Sequence, residues 1–165
     1  MYGVSDQILT VQRLKEVLHY DADTGLFTRF AGRGRWKERA GTINRGYLTI
    51  IVDQKRYRAH RLAWLYVHGE WPNDEIDHIN GERADNRISN LRVATRTQNL
   101  HNISKANRNS KSGLRGTMWI SSTNKWRAAI VVEGKFKHLG MFDEAEQAHA
   151  VYVEAKRILH PFCTI

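Results

Sequence analysis

One stretch limits what this chain can fold into more than any other. Between Ile76 and Asn99 stand Ile76-Asp77-His78-Ile79-Asn80-Gly81, Asp85-Asn86-Arg87, Asn90-Leu91-Arg92 and Thr95-Arg96-Thr97-Gln98-Asn99. Ile76 to Ile79 reads as a short strand carrying an adjacent carboxylate and imidazole. Asn80-Gly81 is a turn, Glu82 to Ser89 a polar loop, and Leu91 to Ala94 a second short strand. Thr95 and Gln98 have the spacing of a capping box, so a helix begins there. A strand, a loop, a strand and a helix this close together fold back on one another. Asn99 is then expected in the first turns of the helix, against the first strand, in one small space with Asp77 and His78.

Those residue types suit one kind of chemistry. Hydrolysis of a phosphodiester needs a water made nucleophilic and a sink for the charge on the phosphorane and the leaving oxygen. A histidine takes a proton from water near neutral pH. One Asp and one Asn supply oxygen ligands, which suit a hard divalent cation such as magnesium, or manganese, and make a poor zinc site; no zinc is expected. A lone Asp-His pair is more often a surface feature, and Asn86 and Asn90 occur in ordinary turns, so the inference rests on the whole frame.

Charge points the same way. The 165 residues carry 26 Lys and Arg against 17 Asp and Glu, a formal net charge of +9. That excess favours a polyanionic partner, nucleic acid before membrane. The apolar runs around Leu48 to Val52 and Ala128 to Val132 are far too short to span a bilayer. Met1 to Leu14 lacks the pattern of a signal peptide. A single cysteine, Cys163, permits no disulfide within the chain, and a reducing intracellular setting fits.

The surrounding segments divide readily. Ile8, Val11, Leu14 and Leu18 recur at helical spacing, Leu26 to Phe30 reads as a strand, and Gly46 to Ala59 reads as a hairpin with Asp53-Gln54 near its tip. Arg61 to His68 is helical, stopped by Gly69 and Pro72. From Arg29 to Arg61 stand ten Lys or Arg and two acids, with Trp36, Tyr47 and Tyr57 among them. Basic charge interleaved with aromatics suits a surface that follows phosphates, here through Arg33, Arg35, Arg45, Arg56, Arg58, His60 and Arg61; a solvated sheet face would carry the same composition. His101 to Gly113 is polar and basic, and Lys105, Arg108 and Lys111 would follow a DNA backbone. His101, about 200° around the helix from Asn99, is expected to face DNA or solvent.

The frame from about Leu26 to Asn107 resembles the HNH endonucleases, in the subgroup of phage and intron-encoded homing enzymes. The marks are Asp77-His78, Asn90 and Asn99, the Asp-Asn-Arg, Asn-Leu-Arg and Gln-Asn-x-x-Asn sequences around them, and upstream His60-Arg61-Leu62-Ala63-Trp64 with Gly69-Glu70-Trp71-Pro72. The resemblance implies a ββα-metal core in which His78 is the general base, Asp77 and Asn99 hold one divalent metal, and Asn90 pins the loop and orients His78. Some relatives carry histidine at the Asn99 and Ile103 positions and favour transition metals. Asn99 and Ile103 here reinforce magnesium or manganese.

A second pattern opens near Ser112. Trp126, Ala128, Ile130 and Val132 alternate with Arg127, Ala129, Val131 and Glu133 as a half-buried strand. Gly134 turns the chain, and Phe136 to Leu139 returns. Asp143 with Glu146 looks like a capping start, and Ala145, Ala148, Tyr152, Ala155 and Leu159 line one helix face until Pro161. With Arg115-Gly116, Lys125-Trp126-Arg127-Ala128 and Leu139-Gly140-x-Phe142, Ser112 to Leu159 resembles the Apetala-type (ethylene-response-factor) DNA-binding domain. This implies a three-stranded antiparallel sheet packed on one helix, entering the major groove with Arg115, Arg127 and His138 toward DNA. Ala129, Val131 and His138 depart from the usual reading residues, so base readout should differ. A small α+β domain that docks on protein is the competing reading.

The expected protein is α+β, with an HNH core and N-terminal β-hairpin extension over 1–107, a basic linker over 108–111 and the Apetala-type domain over 112–165. It would be a metal-dependent endonuclease of double-stranded DNA, site-preferring and homing-type, monomeric, acting in a bacterial host cytoplasm, with no membrane or small-molecule partner. The alternatives are a catalytically silent DNA-binding regulator and a ribonuclease.

Overall fold

The computed structural model of the chain describes residues 9–30, 36–103, 105–160 and 162–163. Ile8, Arg33 and Arg35 lie outside them. The chain forms a mixed α and β structure of several small sheets in two compact units, divided between Asn99 and Leu100. The division falls within a helix, upstream of the basic linker.

The first unit opens with α1 (Val11–Val17), capped by Thr10, whose Oγ1 accepts from the Arg13 amide at 3.2 Å. The periodicity carries the helix to Leu18, but the helix ends one residue sooner. Leu18 turns extended and starts β1 (Leu18–Asp21), which pairs antiparallel with β2 (Leu26–Phe30); β3 (Trp36–Arg39) completes that sheet. Leu18 and Phe27 are fully buried, and each such side chain is worth about 1.5–3 kcal/mol over its exposed state.

The expected hairpin is β5 (Tyr47–Val52) and β6 (Lys55–Arg58), with β4 (Thr42–Asn44) added at its edge. Asp53 and Gln54 both adopt left-handed backbone, φ 46° and 66°, the two-residue turn whose twist matches paired strands. Helix α2 (Ala59–His68) follows and ends on Gly69, φ 79°. Its buried residues Leu62, Ala63 and Leu65 join Leu14, Phe27, Ile50 and Tyr57 in one core. β7 (Glu75–His78) and β8 (Leu91–Ala94) form an antiparallel pair, joined by a long loop that ends in a 3-10 turn (Ile88–Asn90). Helix α3 (Arg96–His101) comes next, and its start is a reciprocal capping box. The Thr95 amide donates to Gln98 Oε1 at 2.9 Å, and the Gln98 amide donates to Thr95 Oγ1 at 3.3 Å.

The second unit is an antiparallel sheet of β9 (Thr117–Ile120), β10 (Lys125–Val132) and β11 (Lys135–Phe142), with β10 central and α4 (Ala145–Leu159) across one face. Ala128 and Ile130 from the sheet and Ala145, Ala148 and Tyr152 from the helix are buried. Gly116 permits the close approach: a Cβ there would stand 2.0 Å from the Tyr152 ring. Two expectations fail here. Asp143 does not cap α4, whose N-cap is Glu144 without a side-chain bond; Asp143 pairs with Lys125 at 3.2 Å instead. Lys156, rather than Ala155, is the buried residue after Tyr152, because its Nζ donates to the Ile103 carbonyl at 2.8 Å. His101 is only half exposed, its ring stacked on that of His160 at 3.7 Å. No helix among the described residues is long and apolar enough to cross a membrane.

Candidate active site

Strand β7 sorts the chemistry by alternation. Ile76 and His78 turn to one face, Glu75 and Asp77 to the other. Asp77 lies opposite Arg92 in the ladder, and Arg92 Nε and Nη2 both donate to its Oδ2, at 3.0 and 2.8 Å. Asn99 projects from α3 onto the same face, where its Nδ2 donates to Glu75 Oε2 at 2.8 Å. The helix therefore delivers Asn99 to the first strand, as its register requires. Glu75, which the sequence reading passed over, is the group that holds it there. Its signal was its position two residues before Asp77 on a strand.

His78 faces inward. It is buried against His60, ring edge to ring face at 5.0 Å, with the Tyr47 ring 6.1 Å away. Burial pulls its pKa below the ordinary value, while a hydrogen bond with the Asn86 side chain and the charge of Asp77 pull in the opposite direction. The net lowering leaves a neutral, proton-accepting imidazole at neutral pH. His60 was expected among the phosphate contacts, but it is only 5% exposed and burial holds its pKa far below the usual range. It backs His78 and cannot meet a phosphate from that position.

The loop between the strands is tied by Asn90. Its Nδ2 donates to Asn80 Oδ1 at 3.0 Å and to the Asp85 carbonyl at 2.9 Å, and its Oδ1 accepts from the Asn80 amide at 3.0 Å. Arg87 forks onto Asp85 at 2.8 and 2.6 Å and holds that carboxyl down to about 2. Asn90 thus fixes the loop, in which the buried Asn86 side chain donates to the Ala84 carbonyl at 3.0 Å. Asn86 is fixed in turn by the β1–β2 hairpin: Tyr20 donates to its carbonyl at 2.7 Å, and the Ile88 amide donates to the Ala22 carbonyl at 3.2 Å. Gly25, φ 71°, lies so close that a Cβ there would meet the Arg87 amide nitrogen at 2.5 Å.

Basic side chains stand on both units. Arg45, Arg56 and Arg58 are exposed, and the Arg58 and Arg83 guanidinium groups lie over Tyr47 at 4.1 and 4.9 Å. Arg61 turns inward and donates to the carbonyls of Asp74 and Pro72, so it braces the approach to β7. In the second unit Lys105, Arg108 and Lys111 are exposed. Lys105 and Arg108 line an open cleft of about 440 Å³ with Arg115 and His149. Arg115 is tied within that unit, donating to Tyr152 Oη at 3.2 Å and to the Lys105 carbonyl at 3.0 Å. His138 is exposed on β11 and Arg127 is half-buried on β10. Among the described residues no group of three or more His, Cys, Asp and Glu is gathered. The β7 face offers the side-chain oxygens of Asp77 and Asn99, with Glu75 beside them.

A neutral buried histidine next to an oxygen-rich strand face, on a strand, loop, strand and helix, defines a nuclease-type site. The chain belongs to the HNH endonuclease family, whose sequence model matches residues 57–101, the span that holds His60, Asp77, His78, Asn90 and Asn99. It is 32% identical over 107 residues to Protein 3.8 of Escherichia phage T7, covering 64% of this chain and 87% of that protein. It is also 32% identical over 105 residues to the uncharacterized HNH endonuclease L560 of Acanthamoeba polyphaga mimivirus, covering 62% of this chain and 53% of that protein. The chain thus spans about half the length of the mimivirus relative. No solved structure matches.

Proposed function

We propose that the chain is a metal-dependent endonuclease that hydrolyses phosphodiester bonds in double-stranded DNA, of the site-preferring homing type, acting as a monomer in a bacterial host cytoplasm. The observation that carries this reading is the neutral, buried His78 at the end of β7 beside the face shared by Asp77 and Asn99.

His78 accepts the proton of the attacking water on its uncharged imidazole. Asn90 pins the loop that carries Asn86 and so orients the ring. One magnesium or manganese ion would be held by the side-chain oxygens of Asp77 and Asn99. When bound it supplies a charge sink for the phosphorane and the leaving oxygen. Glu75 accepts from the amide nitrogen of Asn99, which would leave the carbonyl oxygen of Asn99 for the metal. Arg45, Arg56 and Arg58 meet the backbone phosphates, as do Lys105, Arg108 and Lys111. The second unit is an Apetala-type domain whose sheet enters the major groove; its three-stranded order with one covering helix supports that reading.

The test is nicking of supercoiled plasmid in magnesium. His78→Ala should lower the rate by about 10²–10⁴-fold, the usual contribution of a general base, and leave duplex affinity unchanged. Cleavage within tenfold of wild type would show the assignment wrong. Asp77→Ala and Asn99→Ala should lose manganese binding measured by calorimetry as well as activity. Cleavage of RNA in preference to duplex DNA, or binding without any cleavage, would favour a ribonuclease or a silent regulator.

A further inference from the structure

The outer face of the second unit's sheet, opposite α4, has an unusual make-up. Cross-strand partners share a face, so Arg127 stands with Met118, Ala129 with His138, and Val131 with Phe136. Three large apolar side chains there are more than half exposed: Met118 at 53%, Val131 at 52% and Phe136 at 58%. They surround a single guanidinium. Arg127 lies over the Phe136 ring at 5.0 Å, and its Nη2 donates to Met118 Sδ at 3.2 Å. A sulfur is a weak acceptor, so this bond holds the fork in place yet yields readily to a stronger acceptor.

We infer that this face reads a guanine next to a thymine in the DNA major groove, Arg127 taking the guanine edge and Phe136 with Val131 taking the 5-methyl group of the thymine. The inference rests on the proposal that the sheet binds duplex DNA, and it names what the sheet recognises. Charge selects DNA as the occupant of this apolar face. On it stand Arg127 and Lys125, the latter paired with Asp143, against Glu133, while Lys135 and Lys137 register with Val132 and Ile130 and add their charge from the other side of the same hairpin. Chemistry then selects the bases. A bidentate arginine matches the O6 and N7 acceptors of guanine, and the thymine methyl is the apolar group that the major groove presents. Spacing makes them neighbours: the 5.0 Å between the guanidinium and the phenyl ring lies between one and two base-pair steps of about 3.4 Å each.

Uracil provides the probe, because it differs from thymine only by that methyl. The preferred duplex is first selected from a random-sequence pool with the full-length chain in chelator, and affinity is then measured as each thymine is replaced by deoxyuracil. Replacement at a thymine beside a guanine should weaken wild-type binding about fourfold for each methyl buried. Phe136→Ala and Val131→Thr should bind thymine and uracil duplexes alike, and Arg127→Ala should lose the guanine preference. Val131→Thr keeps shape and strand propensity, so it tests the idea even if Phe136→Ala fails to fold. If the variants weaken binding but uracil has no effect on wild type, the sheet clamps DNA and the methyl reading is overturned. If the variants bind every duplex as wild type does, the sheet does not bind DNA and the underlying proposal falls as well. A wild-type dimer in sedimentation that Phe136→Ala dissociates would assign the face to a second copy and overturn both.

Discussion

Asp77 is nearly buried and carries two bonds from Arg92, an arginine whose side chain is 24% exposed. A cation brought to Asp77 therefore joins a carboxylate that already has a cationic partner. Arg92→Met should lower the unfolding midpoint, since removing one partner of a buried pair leaves a poorly compensated charge, at a cost of up to about 3–5 kcal/mol. The same change should tighten manganese binding, because the carboxylate loses its competing cation. Thermal unfolding checks the first half and calorimetric titration with manganese the second, and weaker binding would mean that Arg92 shapes the site rather than competing for it. Asn86 offers a second test. Its buried side chain donates to the Ala84 carbonyl at 3.0 Å within the loop beside His78, so Asn86→Ala should lower kcat by about tenfold or more with little change in KM, the split expected when a base is misoriented. Equal changes in binding and turnover would make it a loop residue only.

Among the elements, the 80–90 loop depends on the hairpin of β1 and β2, which lies far from it in sequence. Gly25 serves there for two reasons, its left-handed φ and the absence of room for a Cβ beside Asn86 and Arg87. Gly25→Ala should push that backbone aside and cut cleavage sharply, while the β5–β6 sheet persists. Hydrogen exchange across residues 80–90 reads the displacement; unchanged protection there with lost activity would sink the coupling. Helix α4 shows a different dependence. His160 Nε2 donates to the Val131 carbonyl at 2.9 Å, and its Nδ1 is buried without a hydrogen-bond partner among the described residues. Burial, and then Lys156, lower its pKa below the ordinary 6.5. The folded form resists a proton that the unfolded chain accepts, so stability is lost as pH falls below about 6.5. Protection of the α4 amides, corrected for the intrinsic pH dependence of exchange, should fall between pH 7 and 5, and His160→Gln should flatten that trend; a flat wild-type profile would contradict it.

For the whole molecule, the excess of cations predicts steep salt dependence. Each neutralised phosphate contributes about −0.9 to the slope of log affinity against log salt, so six contacts give about −5. Changing Lys105 and Lys111 to Ala should flatten the slope for all sequences, since exposed lysines on an irregular segment meet only the backbone. Arg115→Ala should mainly destabilise the second unit, because its guanidinium already joins Tyr152 to the Lys105 carbonyl. A salt titration on selected and random duplexes separates the two; an unchanged slope in the lysine variant would remove that segment from the DNA surface.

Local patterns decided much of this protein before any packing was known. The capping box at Thr95 and Gln98, the left-handed turn at Asp53-Gln54, the stop at Gly69 and the alternation of β10 are short-range physics, and each is present. The frame from Asp77 to Asn99 is equally local, and its spacing alone brings Asn99 back to β7. Other features needed the folded chain. The periodicity at Leu18 looked helical, but pairing with Arg29 in β1 and β2 overrode it, since a buried edge gains more from a ladder than from one more helical residue. His60 looked like a phosphate contact from its basic neighbours, and burial turned it into the support behind His78. Glu75 carried no signature of its own, and the motifs that hold Asn86 and Arg92 named no partner for either, because partners come only from the strand register or the loop packing. The surroundings of His101 and Lys156 were hidden for the same reason. Their surroundings come from α4 and the segment after α3, more than fifty residues apart in sequence for Lys156 and Ile103, and no periodicity within either segment records the other.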